Sequence, residues 1–126
     1  MTSTSYLNPS NALTLVRGTT KTIALTVLDE AGDAFDLTGA TIWFTMKKVI
    51  ADEAFVVQKK SDVSTEIAIM VAKEGTCEIY LLPADTQLLD VREYVFDIWV
   101  VTAAGARYLV SGPSTLELQN SVTRIQ

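Results

Sequence analysis

Hydrophobic and polar residues alternate along much of this chain, and the alternation predicts short β-strands. Every second side chain is apolar in residues 21–28 and again in residues 41–48. The polar stretch 29–36, with Gly32 at its centre, separates them, and the simplest interpretation is a hairpin with this acidic loop at its tip. The inward-facing positions are predicted to be Ile23, Leu25, Val27, Ile42, Phe44 and Met46.

The strongest predicted strand is residues 93–101, because it is apolar on both faces. One face carries Tyr94, Phe96, Ile98 and Val100, and the other carries Val95, Asp97, Trp99 and Val101. A strand of this kind is expected in the middle of its sheet, with something covering each side. We expect Phe96 and Ile98 to lie in the core.

Other short apolar runs, bounded by turn residues, predict the remaining strands. One of them is placed at residues 55–58, Gly112-Pro113 is expected to end another, and residues 121–125 are expected to form the last. No long helical pattern is present, so we expect less than about 15% helix, well below the usual share. The predicted fold is all-β, an immunoglobulin-like β-sandwich of eight or nine short antiparallel strands. Residues 12–126 form this single domain, preceded by an amino-terminal arm at residues 1–11.

A turn-rich corner precedes the central strand. Residues 84–89 can form one helical turn, and Tyr94 follows at the head of the apolar strand. This arrangement is typical of the tyrosine corner of immunoglobulin-like sandwiches, with Asp85 and Tyr94 as its parts.

Composition narrows the functional classes. The 126 residues are 48% hydrophobic with a mean hydropathy of +0.26, which hints at surface buried against partners. The net charge of −5 argues against binding to nucleic-acid phosphates. No run approaches the roughly 18 apolar residues that span a membrane, so no membrane partner is expected.

The sequence holds no histidine, which removes the usual general base, the Ser-His-Asp triad and most zinc sites. We therefore expect no enzymatic activity, no catalytic residue, no cofactor and no metal. The acidic residues of loop 29–36 favour a solvated loop over a calcium site, because their spacing is not that of an EF-hand. The single cysteine, Cys77, lies on an apolar strand face and is expected to be a buried core residue rather than a reactive thiol.

Three groups of residues leave alternatives open. Trp43 and Trp99 either pack together under the other sheet or form an exposed aromatic patch for a partner. Asp97 sits among apolar residues and is expected to need a partner such as Arg92, Arg107 or a backbone amide. The basic pairs 47–48 and 59–60 either match an acidic partner surface or protect edge strands from aggregation.

Several motifs resemble those of small structural proteins of tailed bacteriophages, including the amino-terminal β-sandwich modules of baseplate and fibre-attachment proteins. The motifs are a D-x-x-G-x-x-x-D-L-T-G-A-T segment, an L-x-x-x-D-T corner, a Y-x-x-D-I strand and a closing G-x-x-x-V with V-T-R. The matching residues are Asp29, Gly32, residues 36–41, Leu81, Asp85, Thr86, Tyr94, Asp97, Ile98, Gly112, Val122, Thr123 and Arg124.

The resemblance covers roughly residues 13–124 and implies a non-enzymatic structural component of the virion, made in the cytoplasm of the host bacterium. Its partners would be other virion structural proteins, in a symmetric homo-oligomer. Such a component could belong to the tail, the collar or neck, the fibre attachment or the decoration of the head. The alternative is a stand-alone sandwich that binds a carbohydrate or a protein ligand.

We also expect subunit contacts from the two polar ends of the chain, because each carries isolated apolar groups with no obvious partner in the sandwich. The residues concerned are Tyr6, Leu7, Val122 and Ile125.

Overall fold

The computed structural model describes residues 13–122, which form two packed β-sheets. The strands are β1 (Leu13–Val16), β2 (Lys21–Thr26), β3 (Thr41–Lys47), β4 (Val57–Lys60), β5 (Ile67–Val71), β6 (Thr76–Leu81), β7 (Glu93–Val101) and β8 (Arg107–Gln119). Helical structure in this range is limited to a 3₁₀ turn at Ala72–Glu74 and the single-turn helix α1 at Pro83–Thr86. The all-β prediction is confirmed, and α1 lies where a helical turn was expected.

The larger sheet has the strand order β1-β8-β7-β3-β4, and the smaller one has the order β2-β6-β5. This is the arrangement of an immunoglobulin-like sandwich, in which β8, β7, β3 and β4 correspond to strands G, F, C and C′. The pairings are antiparallel apart from that of β1 with β8, which is parallel. The prediction that β7 is central is confirmed, since two strands lie on each side of it.

The predicted hairpin between β2 and β3 is wrong. β2 pairs with β6, whereas β3 pairs with β4 and β7 in the other sheet. The connection 27–40 crosses from one sheet to the other and is held by the buried Phe35 and Leu37, whose backbone amides donate to Val27 O and Ala72 O. The sequence pattern predicts a polar loop here because the acidic residues outnumber these two apolar residues.

Three strand boundaries also differ from the prediction. β4 begins at Val57. β8 continues through Gly112-Pro113, where its pairing with β7 shifts in register. β8 ends at Gln119, so Ser121 and Val122 are not in a strand, and the rest of the predicted strand 121–125 lies outside the described residues. The predicted arm 1–11 also lies outside them.

The core lies between the sheets and follows the predicted alternation. The pattern of burial in β3 and β7 assigns every second residue to the interior, and Phe96 and Ile98 are buried as predicted. The rings of Phe44 and Phe96 lie 5.5 Å apart on neighbouring strands. Burial of such side chains is the main stabilising term of a domain of this size.

Candidate functional site: the outer face of the five-stranded sheet

The second face of β7 points away from the core and is not covered by the smaller sheet; the connection between β3 and β4 borders it on one side. This contradicts the expectation that both faces of the central strand would be covered. The surface built by the outward residues of β3, β4, β7 and the start of β8 is called the outer face below. Its members are Thr41, Trp43, Thr45, Lys47, Gln58, Lys60, Val95, Asp97, Trp99, Val101, Arg107 and Leu109.

A groove of about 760 Å³ runs over the outer face. The connection between β3 and β4 contributes Ile50 and Phe55 to its lining, with 64% and 51% of their surface exposed, and Pro113 of β8 contributes as well. A volume of this size falls in the range of ligand-binding clefts. The sequence interpretation misses both as site residues, because it places Ile50 in a connection and Phe55 in the predicted strand 55–58.

The two tryptophans of the chain lie side by side in register on neighbouring strands. Trp43 of β3 is the cross-strand partner of Trp99 of β7, and Trp99 is in turn opposite Leu109 of β8. Trp99 and Leu109 are 37% and 36% exposed. Of the two alternatives, the structure therefore bears out the exposed aromatic patch, because neither indole is buried beneath the smaller sheet.

The Lys60 ammonium lies 4.2 Å from the centre of the Trp43 ring, which is a cation–π contact. On the same side Gln58 donates a hydrogen bond to Thr45 Oγ1 at 3.2 Å, and Lys47 Nζ donates to Asp52 O at 2.7 Å. These contacts place the side chains of Lys60, Gln58 and Lys47 around the groove.

Asp97 lies on β7 in the outer face, two residues before Trp99, opposite Thr45 and beside the Gly112 irregularity of β8. Gly112 has φ +109°, and a Cβ added there would come within 2.7 Å of Phe96 O, so only glycine allows β8 to approach β7 this closely. The expected partner of Asp97 is not found. Within residues 13–122, its half-buried carboxylate makes no hydrogen bond and no ion pair; Arg92 donates instead to Glu93 O and Lys48 O.

Arg107, the other expected partner, is exposed on the same face opposite Val101. Among the described residues its guanidinium has no ion pair or hydrogen bond. The outer face thus carries a carboxylate and a guanidinium that are not paired with each other. One reason is their separation along the strands, since Asp97 and Val101 are four residues apart, or about 13 Å.

The corner around α1 proves to be structural. The Tyr94 hydroxyl donates to Asp90 O at 2.6 Å, as in a tyrosine corner, and burial is the main cause that raises the pKa of this hydroxyl. Asp85 is not part of that contact, contrary to the prediction. Its carboxylate accepts a hydrogen bond from the Leu82 amide at 2.7 Å and pairs with Lys59 Nζ at 2.8 Å.

The remaining predicted residues are distributed as follows. Lys59 is buried on the inner face of the edge strand β4, so only the outward Lys60 can protect that edge. Cys77 is buried, and burial raises the pKa of its thiol to about 12. Val122 is fully exposed, and Tyr6, Leu7 and Ile125 lie outside the described residues, so the subunit contacts assigned to these four residues stay a prediction.

Two carboxylates of the acidic loop accept hydrogen bonds from neighbouring residues of the same connection. Asp29 Oδ1 accepts hydrogen bonds from the Ala31 and Asp33 amides, and Asp36 Oδ1 accepts from the amide and the hydroxyl of Thr38, which lowers the pKa of Asp36. Over residues 13–122 no group of three or more potential metal ligands occurs. In the same range no helix is long and apolar enough to cross a membrane. The outer face, with its aromatic rings and unpaired charges, is therefore the surface best equipped for non-covalent recognition.

The fold places the chain in the class of immunoglobulin-like β-sandwiches. No protein-family model matches the chain, and no curated protein sequence matches it. Among solved structures, the filamin domain of Lin-41 is similar in fold, with 14% identity, a TM-score of 0.48, and 93% of this chain and 91% of that chain covered. The RIG-5 IG1 homodimer has 16% identity and a TM-score of 0.46, with 97% of this chain and 100% of that chain covered. A chain of the structure on T cell specificity and activation by the bacterial superantigen toxic shock syndrome toxin-1 has 14% identity and a TM-score of 0.49, with 92% of this chain and 98% of that chain covered. At these identities the likeness concerns the fold and does not extend to function.

Proposed function

We propose that this protein is a non-enzymatic structural component of a tailed-phage virion that acts through protein–protein contacts made by the outer face. The observation that carries this proposal is the cross-strand pair of the half-buried Trp43 and the exposed Trp99, in a groove bordered by Ile50 and Phe55. Exposed apolar patches with aromatic residues mark interaction sites, and tryptophan is enriched among the residues that dominate binding energy. That the assembly is a phage particle is inferred from the sequence resemblance to phage structural proteins.

The chemistry of the chain supports a binding role over a catalytic one. The sequence has no histidine, and its one thiol is buried with a raised pKa. A nucleophile needs an adjacent base or a depressed pKa, and Cys77 has the opposite environment.

Mass spectrometry of phage particles purified from the bacterium that carries this gene tests the proposal. The chain should be present in stoichiometric amounts, and its absence from intact particles would contradict a virion role. The surface is tested by the variant Trp99→Glu, which should remain folded by circular dichroism and fail to join the particle.

A matched control is available for that variant. Leu88→Glu introduces the same charge at an apolar residue that is 90% exposed in the connection between α1 and β7, away from the outer face. It should assemble normally. Equal loss of assembly in both variants would show that added charge, rather than the outer face, is responsible.

A second candidate function is a stand-alone binding module for a carbohydrate or a protein ligand. It is favoured by the position of the indoles beside Asp97 and Gln58, because a sugar ring offers an apolar face for an aromatic ring and hydroxyls for carboxylate and amide groups. Titration with a panel of oligosaccharides, followed by tryptophan fluorescence, tests this function. A saturable change, together with absence from phage particles, would favour it over the virion role.

A further inference from the structure

We propose that the outer face binds the same face of a second copy of this protein, in a two-fold arrangement that sets Asp97 of each copy against Arg107 of the other. This inference rests on the proposed function, since it names one partner for the contact surface described above. It is carried by three features of the outer face: its unpaired charges, their placement about Trp99, and its apolar centre.

The unpaired charges restrict which partner can dock. Asp97 is half-buried in the groove and has no hydrogen-bond or ion-pair partner among residues 13–122. An apolar partner would remove this carboxylate from water without compensation, which is strongly unfavourable. A suitable partner therefore brings a cation to Asp97, and a guanidinium is the best match for a carboxylate because it can form two parallel hydrogen bonds. The outer face itself carries such a group in Arg107.

The placement of the two charges fits a two-fold axis. Asp97 lies two residues before Trp99 on β7, and Arg107 is opposite Val101, two residues after it. When two copies pack face to face about an axis that crosses the strands at Trp99, the two ends of the outer face exchange places. Asp97 of each copy then faces the Val101 position of the other copy, and Arg107, on the neighbouring strand about 4.8 Å away, can reach it. One contact type therefore occurs twice. Within one copy, Arg107 does not reach Asp97, because about 13 Å along the strands separates the two positions.

The centre of this arrangement is apolar. Trp99 and its register neighbour Leu109 lie at the axis and would face the same residues of the second copy, with Trp43 beside them. A large aromatic residue at the centre of a patch, surrounded by polar groups that exclude water, is the usual anatomy of an energetic centre in an interface.

The size of the face predicts a weak dimer. Four strands spaced about 4.8 Å apart and about seven residues long span roughly 450 Å². This is below the area of about 800 Å² per partner in a standard stable interface. We therefore expect a dissociation constant between about 10 µM and about 1 mM, which repetition in a larger assembly would strengthen.

Sedimentation velocity from about 10 µM to about 1 mM tests the dimer directly, and NMR reports where it forms. Because both tryptophans of the chain line the groove, their two indole N–H signals should shift on dilution. A protein that remains monomeric at about 1 mM overturns the proposal, and so does a dimer whose dilution leaves both indole signals in place.

A charge exchange tests the pairing. The variants Asp97→Arg and Arg107→Asp should each weaken self-association by at least about tenfold, because each places like charges opposite one another twice. An equimolar mixture of the two variants should form a heterodimer, and the double variant should again form a homodimer. Lys73→Asp is the matched control for Arg107→Asp, since it makes the same charge change in an exposed turn beside the smaller sheet and should leave the affinity unchanged.

Folding is checked by the melting temperature of each variant. If Asp97→Arg fails to fold, Asp97→Asn and Arg107→Asp must still weaken self-association, and Arg107→Lys must weaken it less than Arg107→Asp. The proposal is overturned if these substitutions leave self-association unchanged. It is also overturned if the mixture of Asp97→Arg and Arg107→Asp does not restore association. A chain that is found in phage particles but is monomeric by sedimentation would refute this inference while leaving the proposed function intact, and would assign the groove to a different occupant.

Discussion

The ring of Phe96 lies 5.5 Å from the ring of Phe44 in the core between the two sheets. Truncation of this side chain in Phe96→Ala removes buried apolar surface and leaves a cavity that neighbouring strands cannot fill. We expect the free energy of unfolding to fall by about 3 to 5 kcal/mol, measured by denaturant titration. Val95→Ala, on the half-buried outer side of the same strand, is the control and should cost less. A loss below about 1 kcal/mol for Phe96→Ala would show that this ring contributes little to the core.

Cys77 provides a second test at the scale of one residue. Because burial raises the pKa of its thiol to about 12, the folded protein keeps the thiol neutral and out of contact with reagents. At pH 8 a disulfide reagent should not react until denaturant is added, and then should modify one thiol per chain. Rapid labelling of the native protein would contradict the buried position.

The same thiol predicts a dependence of stability on pH. Its pKa is raised in the folded state above the ordinary value of 9.0, so its contribution to stability is fully present below about pH 9 and is lost as pH rises towards about 12. Cys77→Ala should make the free energy of unfolding fall less steeply over this range. Because Tyr80 and Tyr94 also have raised pKa values, some dependence should remain in the variant.

At the scale of elements, the pair formed by Lys59 and Asp85 connects the edge strand β4 to helix α1. Asp85→Ala leaves the buried ammonium without its partner and should destabilise the fold by about 3 to 5 kcal/mol, whereas Lys59→Met replaces the charge by apolar volume and should cost less. The double variant should lose less than the sum of the single losses, as measured by thermal and denaturant unfolding. Asp85→Asn, which keeps an acceptor for the Leu82 amide, separates the two roles of this carboxylate. Additive losses would show that the pair is not energetically coupled.

Alternation along a strand predicts which side chains are buried but not which strands are neighbours. The inward positions of β3 and β7, such as Phe44 and Ile98, follow from a period of two residues that is visible locally. The partner of β2 is β6, about fifty residues further along the chain, and nothing in the pattern of β2 specifies it. The sequence favours a hairpin because adjacent strands often pair. Phe35 and Leu37, which carry the chain across to the other sheet, are only a weak local signal.

The candidate site was predictable in part for the same reason. Trp43, Trp99 and Asp97 stood out in the sequence because they interrupt or enlarge the expected pattern of their strands. Their meeting on one face depends on the register between β3 and β7, which is a long-range property of the sheet. Arg107 could be named only as one of several partners for Asp97, because the separation of the two residues follows from the pairing of β7 with β8.

At the scale of the whole molecule, the described sandwich begins with β1 at Leu13. Removal of residues 1–10 should therefore leave the melting temperature unchanged, since it removes no strand of the described sheets. If these residues make subunit contacts, as their composition suggests, the shortened chain should also fail to join a particle or an oligomer. Normal assembly would remove the role assigned to Tyr6 and Leu7, and failure to fold would show that this segment belongs to the sandwich itself.

The parallel pairing of β1 with β8 has a mechanical consequence. β1 and β8 lie near opposite ends of the described chain, and their ladder is extended by the bond from the Arg17 amide to Gln119 O at 2.8 Å. In a parallel pair, a pull on the start of one strand and the end of the other acts along the strands in opposite directions. The hydrogen bonds between them are then loaded together in shear and cannot open one after another. In a chain held by its two ends under tension, the resistance to extension would thus come from these few paired residues. The rest of the sandwich would bear little load until the hydrogen bonds between β1 and β8 broke.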